Sequence, residues 1–345
     1  MVGNVRLAAA VTAATLVALL AIAAGAETFF DSAKRSVELP AKVDRVLPAG
    51  PPAAVMLYTL VPDKLLGWVR APDDEAQAYL LPRARKLPAV GRLTGRNAID
   101  AAALKALGAS LIVDFGDVNA NYTELANRTQ AATGIPYVLI DGTLKATPAA
   151  YRSLGKVVQA GSRAETLAAK SQDLLDEVSA KSVMLAPSAR KSLYIARGPD
   201  GNETYGAGAF TDEIVAPAGG TNVAASWGRG NLKNITPDKV REANPDIVIA
   251  LDPYFLEVIG KNPAWKQVPA IAAGRIFVAP HHPFGWLDEP PSVNRLIGLR
   301  WLAGVLFADR FDNPRDAVRD FFHTFYQVDL TTALLDKLLA NRRTQ

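Results

Sequence analysis

GRIFVAPHHPFGWLDEPPSVNRLIGLRWLAGVLF, residues 274–307, contains a strand, a corner and a helix in that order. RIFVA (275–279) is a short apolar run of strand type. Pro290 and Pro291 fix their own φ and push each preceding residue out of the α region, so the chain after Trp286 is expected to run extended until Ser292 caps a helix over Val293 to Phe307. That helix carries Leu296, Ile297, Leu299, Trp301, Leu302 and Leu306 on one face, with Arg295 and Arg300 expected to point away from it. A rigid aromatic bracket just beyond the carboxyl end of a strand is where a doubly wound sheet places ligands, so residues 280–288 are expected beside a cleft.

The strand-and-helix grammar repeats on both sides of this stretch. VDRVL (43–47), LGWV (66–69), LIVDF (111–115) and YVLI (137–140) read as strands, with helical stretches near 52–62, 101–107 and 121–133 between them. SLYIA (192–196), IVIAL (247–251) and RIFVA follow the same rule, with helices near 209–217, 237–243 and 292–306. Alternation of this kind implies mostly parallel sheets covered by helices. The expected fold class is α/β: two Rossmann-like lobes with mostly parallel central sheets, joined by a long rigid interdomain helix. Between the lobes, Thr147-Pro148 reads as a helix start. Ser162-x-x-Glu165 reads as a capping box that opens a second helical run to about 184. With no Gly/Ser or proline-rich linker, small lobe rotations are expected rather than wide hinge closure.

The expected boundaries are a leader at 1–26, a first lobe at 27–146, the helical connection at 147–184 and a second lobe with C-terminal helices at 185–345. A chain of 345 residues suits two lobes. The leader MVGNVRLAAAVTAATLVALLAIAAGA has one positive charge, an uncharged apolar run and an Ala24-Gly25-Ala26 exit, the pattern of a cleavable secretory signal. The other reading of Leu7 to Ala24 is an uncleaved membrane anchor. There is no cysteine, so neither a disulfide scaffold nor a lipid-bearing cysteine is implied. A periplasmic protein is expected. The net charge of +4 is too small and too dispersed to suggest nucleic acid.

Residues 274–307 resemble the C-terminal-lobe signature of the substrate-binding proteins that serve ABC importers of iron-siderophore, haem, cobalamin and related metal chelates, the helical-backbone metal receptors. The resemblance extends to LPAVGRLTGRNAIDAAALKALGASLIVDFG (87–116) and ITPDKVREANPDIVIALDP (235–253). It implies a monomeric receptor that holds a small-molecule metal complex between its lobes and delivers it to a permease in the inner membrane. No intrinsic cofactor is implied, only a transported ligand. It also implies an acidic residue on top of each lobe for permease arginines. Asp238 falls at that place in the second lobe; in the first, Asp100 lies two residues early and also reads as a helix cap.

Strand exits supply the candidate cleft walls: Gly50 and Pro51 and the loop holding Arg92 in the first lobe, with Arg197, Tyr205, Trp227 and Arg229 in the second. His281, His282 and Trp286 follow from the corner. Guanidinium groups bind carboxylates or catecholates in bidentate fashion, and aromatic faces cover an organic shell. A ferric siderophore-type complex is the expected ligand; haem, cobalamin, a nickel or cobalt complex, and a free metal ion or oxyanion are alternatives. His281 or His282 is the candidate for direct metal contact. From another class, an exported enzyme on a doubly wound fold is the rival. The chain has no GxGxxG after a strand, no GxxxxGK[ST], no GxSxG and no HExxH. Neighbouring Asp288 and Glu289 on an extended segment should point apart, which is poor geometry for shared acid-base work. Asp73-Asp74-Glu75 reads as an exposed loop.

Overall fold

A computed structural model describes residues 27–94, 98–183 and 185–340. The leader at 1–26 lies outside them. No helix among the described residues is long and apolar enough to cross a membrane.

A hairpin of β1 (Glu27–Phe30) and β2 (Ser36–Leu39) precedes the first sheet. That sheet is β3 (Val46–Pro48), β4 (Leu111–Gly116) and β5 (Tyr137–Asp141), all parallel, with Val46 opposite Leu111 and Val113 opposite Val138. LGWV forms no strand of its own. Single parallel bridges, Val46 to Leu65 just before it and Trp68 to Ala89 within it, fringe the sheet.

The second sheet has the order β11-β10-β6-β8, again all parallel. Its members are β6 (Lys191–Ala196), β8 (Gly220–Asn222), β10 (Ile247–Ala250) and β11 (Ile276–Val278). A small antiparallel pair, β7 (Thr204–Tyr205) with β9 (Asn231–Leu232), folds the intervening loops onto it. Burial on both faces explains why the central strands are near-continuous β-branched runs. Each lobe has its own apolar cluster. A larger cluster, from Val37 to Leu338, passes through both lobes along the connecting helices.

The connection is two helices, Thr147–Val157 and Gly161–Ser182, folded against each other. Gln159 turns the chain with φ of 56°. A Cβ on Gly155 would lie 2.2 Å from that of Ala164, so glycine is what permits the close crossing. The second helix, 22 residues and about 33 Å long, is the spine.

Several local expectations are corrected here. The capping box does not form: the spine starts at Gly161 with no side-chain cap, and Glu165 instead receives both Nε and Nη2 of Arg152, at 2.8 Å each. Thr147 is buried inside its helix, and Ala146 takes the N-cap position. The corner helix is Arg295–Leu306, again without a side-chain cap; Ser292 Oγ accepts from the Asn294 amide just before it. Arg295 and Arg300 do not point to solvent. They are buried, at 2 % and 3 % exposure, because the helix is enclosed on all sides. Arg300 Nε pairs with Glu177 of the spine at 2.8 Å, and its guanidinium covers the Phe311 ring.

The C-terminal helices, grouped by sequence order with the second lobe, pack on the first. Tyr58 donates to the Tyr326 carbonyl at 3.0 Å and Tyr79 to the Leu334 carbonyl at 3.3 Å.

Candidate functional site

A cavity of about 1180 Å³ lies between the lobes. The corner residues 283–290 form one wall. Asn294, fully buried, ties that corner down: it donates to the Phe284 carbonyl at 3.0 Å and accepts from Tyr326 Oη at 2.7 Å. The Trp286 amide donates to the Pro280 carbonyl at 3.1 Å and the Gly285 amide to that of Glu289 at 3.3 Å. Residues 68–73 and the amino end of the helix Pro51–Leu60 form the opposite wall, with Trp68 packed on Phe284 at 5.3 Å between ring centroids.

Of the residues expected at a cleft, Pro51, Arg92, Arg197, His281 and Trp286 line this cavity. Trp286 does so with a side chain that has no solvent exposure, so it is a wall component and a core residue together. The others stand elsewhere. Gly50 is the N-cap of the helix Pro51–Leu60, its carbonyl taken by the Ala54 amide. His282 turns to the far side of the corner, stacked on Tyr79 and 3.2 Å from Glu75. Desolvation there holds its imidazole below the usual pKa. Tyr205 lies one layer behind the wall, donating a short hydrogen bond to Asp288; burial, then that carboxylate, raises its phenol. Trp227 packs on Tyr194 under Lys239, within the second lobe. Arg229 is exposed beside Gly208. The antiparallel β7–β9 pair carries these last two away from the cavity.

Three charged residues that reading by sequence left out also line it: Arg70, Asp73 and Glu289. Asp73 is the N-cap of the short helix Asp74–Gln77, accepting from the Ala76 amide at 2.7 Å, so the run taken as an exposed loop is a helix start on the cavity rim. The signal was the apolar run at 66–69, whose exit is residues 70–73.

Arg197 is the most heavily engaged group. Its Nε is 3.2 Å from Asp288 Oδ2, its Nη1 3.3 Å from Glu203 and 3.1 Å from Asn231 Oδ1, and its plane lies 4.5 Å from the Tyr205 ring. Asp288 and Glu289 do not simply diverge: both reach the Arg197 guanidinium, Asp288 at Nε and Glu289 3.7 Å from Nη2. Asp288 is buried under Arg197 and Tyr205, while Glu289 faces the cavity. Among the described residues neither Arg70 nor Arg92 makes an ion pair, and no group of three His, Asp or Glu side chains is placed to hold a metal ion.

Of the two acids expected to face a permease, Asp238 is exposed in the first turn of the helix Pro237–Ala243 and pairs with Arg241 at 2.7 Å. Asp100 is the N-cap of the helix Ala101–Ala106, accepting from the Ala103 amide at 2.8 Å.

Comparison with known proteins accords with this architecture. Residues 142–283 match the family model described as a periplasmic binding protein. Over 128 residues the chain is 30% identical to the molybdate-binding protein MolA of Haemophilus influenzae, a match that spans 36% of this chain and 36% of that protein's length. An ABC transporter solute-binding protein from Sulfurospirillum deleyianum superposes with a TM-score of 0.83 at 25% identity, covering 91% of this chain and 99% of the other. The molybdate-bound structure of H. influenzae MolA gives 0.72 at 18% identity, over 88% and 99% of the two chains. In its family match over residues 142–283 and in a two-lobed fold shared along most of its length, the chain is similar to the periplasmic binding proteins.

Proposed function

We propose that the protein is a periplasmic receptor that captures an anionic metal chelate of the ferric-siderophore class between its lobes and delivers it to an ABC importer in the inner membrane. The observation that carries this reading is the cavity itself. At about 1180 Å³ it is at the upper end of small-molecule sites, roughly 300–1,000 Å³, and far larger than a bare ion needs. Its walls combine Trp68, Phe284 and Trp286 with two guanidiniums that have no ion pair among the described residues, a set suited to an organic shell carrying negative charge. The metal is taken inside its own chelating shell, and His281, on the lining, is the histidine that would meet that shell. Family members carry a transported ligand rather than a resident cofactor.

A tetrahedral oxoanion is the second reading, favoured by the match to a protein named for molybdate. Tryptophan fluorescence separates the two, because Trp68 and Trp286 lie in the cavity wall. Titration with ferric catecholate and hydroxamate complexes should quench emission saturably, while molybdate should give no change at the same concentrations. Response to molybdate alone would replace the chelate by the oxoanion, and silence toward both would remove the receptor reading.

Delivery rests on Asp238, exposed on the second lobe. Asp238→Lys should abolish most uptake in cells while leaving the dissociation constant of the isolated protein within about two-fold, since a rim charge acts on the partner encounter and not on a remote cavity. An equal loss of affinity would place Asp238 in ligand binding instead.

A further inference from the structure

We propose, resting on the receptor reading, that the cavity is built for a ligand of divided charge: Arg70 and Arg92 on the first lobe take its anionic part, and Glu289 on the second takes an ammonium or other hydrogen-bond donor. The ligand class is then a chelate with an anionic metal-binding end and a pendant amine or amide, and not one that is uniformly negative.

The three carboxylates that line the cavity are in different situations. Asp73 is spent on the Ala76 amide as a helix cap. Asp288 is buried at 7 % exposure and spent on Tyr205 and Arg197. Glu289 receives no hydrogen bond on its side chain among the described residues. Its nearest cation is Arg197 Nη2, at 3.7 Å. That guanidinium already serves Asp288, Glu203 and Asn231, so one positive charge is divided among three carboxylates. An ionised carboxylate has about four acceptor positions, and those of Glu289 stay available to a ligand.

The backbone aims this side chain. Glu289 has φ of 63°, in the left-handed region that non-glycine residues seldom occupy, and its side chain is 61% exposed into the cavity mouth. The opposite wall carries Arg70 and Arg92, and Arg70 is near enough to act electrostatically on Glu289. Partial desolvation at the cavity wall, then the adjacent Asp288, hold the Glu289 carboxyl above the usual carboxylate range. Acidification should therefore neutralise Glu289 earlier than an ordinary surface glutamate, and weaken its hold on a donor first.

The test compares two probes on the purified protein: a ferric tris-catecholate whose backbone bears one primary ammonium, and the same complex with that amine acetylated. The ammonium form should bind about ten-fold more tightly, the worth of one hydrogen bond between charged groups. Glu289→Gln should bring the two within about two-fold by weakening the ammonium form alone, and Arg92→Ala should weaken both. Equal binding of both probes to the unaltered protein, or a preference that survives Glu289→Gln, overturns the divided-charge site and leaves the receptor standing. Tighter binding of both probes by Glu289→Gln also overturns it, because Glu289 would then only repel anions. Failure of both probes to bind the unaltered protein overturns the receptor reading together with this one.

Discussion

Replacing Arg295 by leucine is expected to cost about 3 kcal/mol of stability and to lower Tm by about 4–5 °C. The side chain is buried, and its three nitrogens are all engaged. Nε donates to the Ser292 carbonyl at 3.3 Å, Nη1 lies 3.2 Å from Glu213 Oε2, and Nη2 donates a short hydrogen bond to the Gly142 carbonyl. The same Glu213 oxygen accepts from the Leu144 amide at 2.6 Å. Gly142 and Leu144 leave the first sheet at the end of β5, whereas Glu213 belongs to the helix Asp212–Val215 of the second lobe. One guanidinium thus fastens the two lobes at the root of the cleft. Leucine keeps much of the volume but strands the Gly142 carbonyl and leaves the partly buried Glu213 carboxylate with the Leu144 amide alone, and polar groups left without partners are the expensive outcome. Adding Glu213→Leu to Arg295→Leu should recover a large part of the loss, since replacing a whole buried pair by apolar groups is often close to neutral. Thermal and urea unfolding of the two variants provide the check. A single variant within about 0.5 kcal/mol of the parent would mean that water replaces the guanidinium at no cost.

Arg295 also marks where sequence reading stopped. LIVDF, YVLI, SLYIA and IVIAL were legible as strands because each is a short β-branched apolar run ended by turn residues, and strands buried on both faces need that composition. The corner helix was legible as a helix, but its surroundings were not. Arg295 and Arg300 were assigned to solvent because charged residues are seldom fully buried without partners. The partners, Glu213 and Glu177, lie far away in the chain, and no local pattern announces them. In hindsight the rest of the helix, LIGLRWLAGVL, has no polar face, which is the mark of a helix enclosed all round. The cavity shows the same division. Strand exits are a sound guide to the loops that approach a cleft, and they pointed to Arg92, Arg197 and His281. They do not say which way a loop turns afterwards. Tyr205, Trp227 and Arg229 follow a strand exit and still miss the lining, because two residues on each side pair as β7 and β9 and draw that loop back. Arg70 and Asp73 reach the cavity by their position after LGWV, which the charge of the acidic run does not reveal.

Trp286→Ala should be the most damaging single change at the corner, costing about 3–5 kcal/mol. The indole is fully enclosed, and its backbone carbonyl lies where a Cβ on Gly298 would be, 2.0 Å away, so the corner helix rests directly on this residue's main chain. The indole Nε1 faces the His282 carbonyl at 3.4 Å. Removing the ring opens a large apolar void beneath a helix that cannot descend, because the Trp286 and Gly298 backbones are already in contact; when collapse is blocked, the cavity cost is paid nearly in full. Trp286→Phe retains part of the packing and should cost less than half as much. The pair of variants then separates the two duties of this side chain. With Trp286→Phe still folded, a chelate affinity that falls ten-fold or more makes the indole a contact surface for the ligand. An affinity near that of the parent makes it a support for Phe284 and Glu289, and the remaining tryptophans should report binding as before. Denaturant titration comes first, and a loss under about 1 kcal/mol for Trp286→Ala would show that the Asn294 hydrogen bonds alone hold the bracket in place.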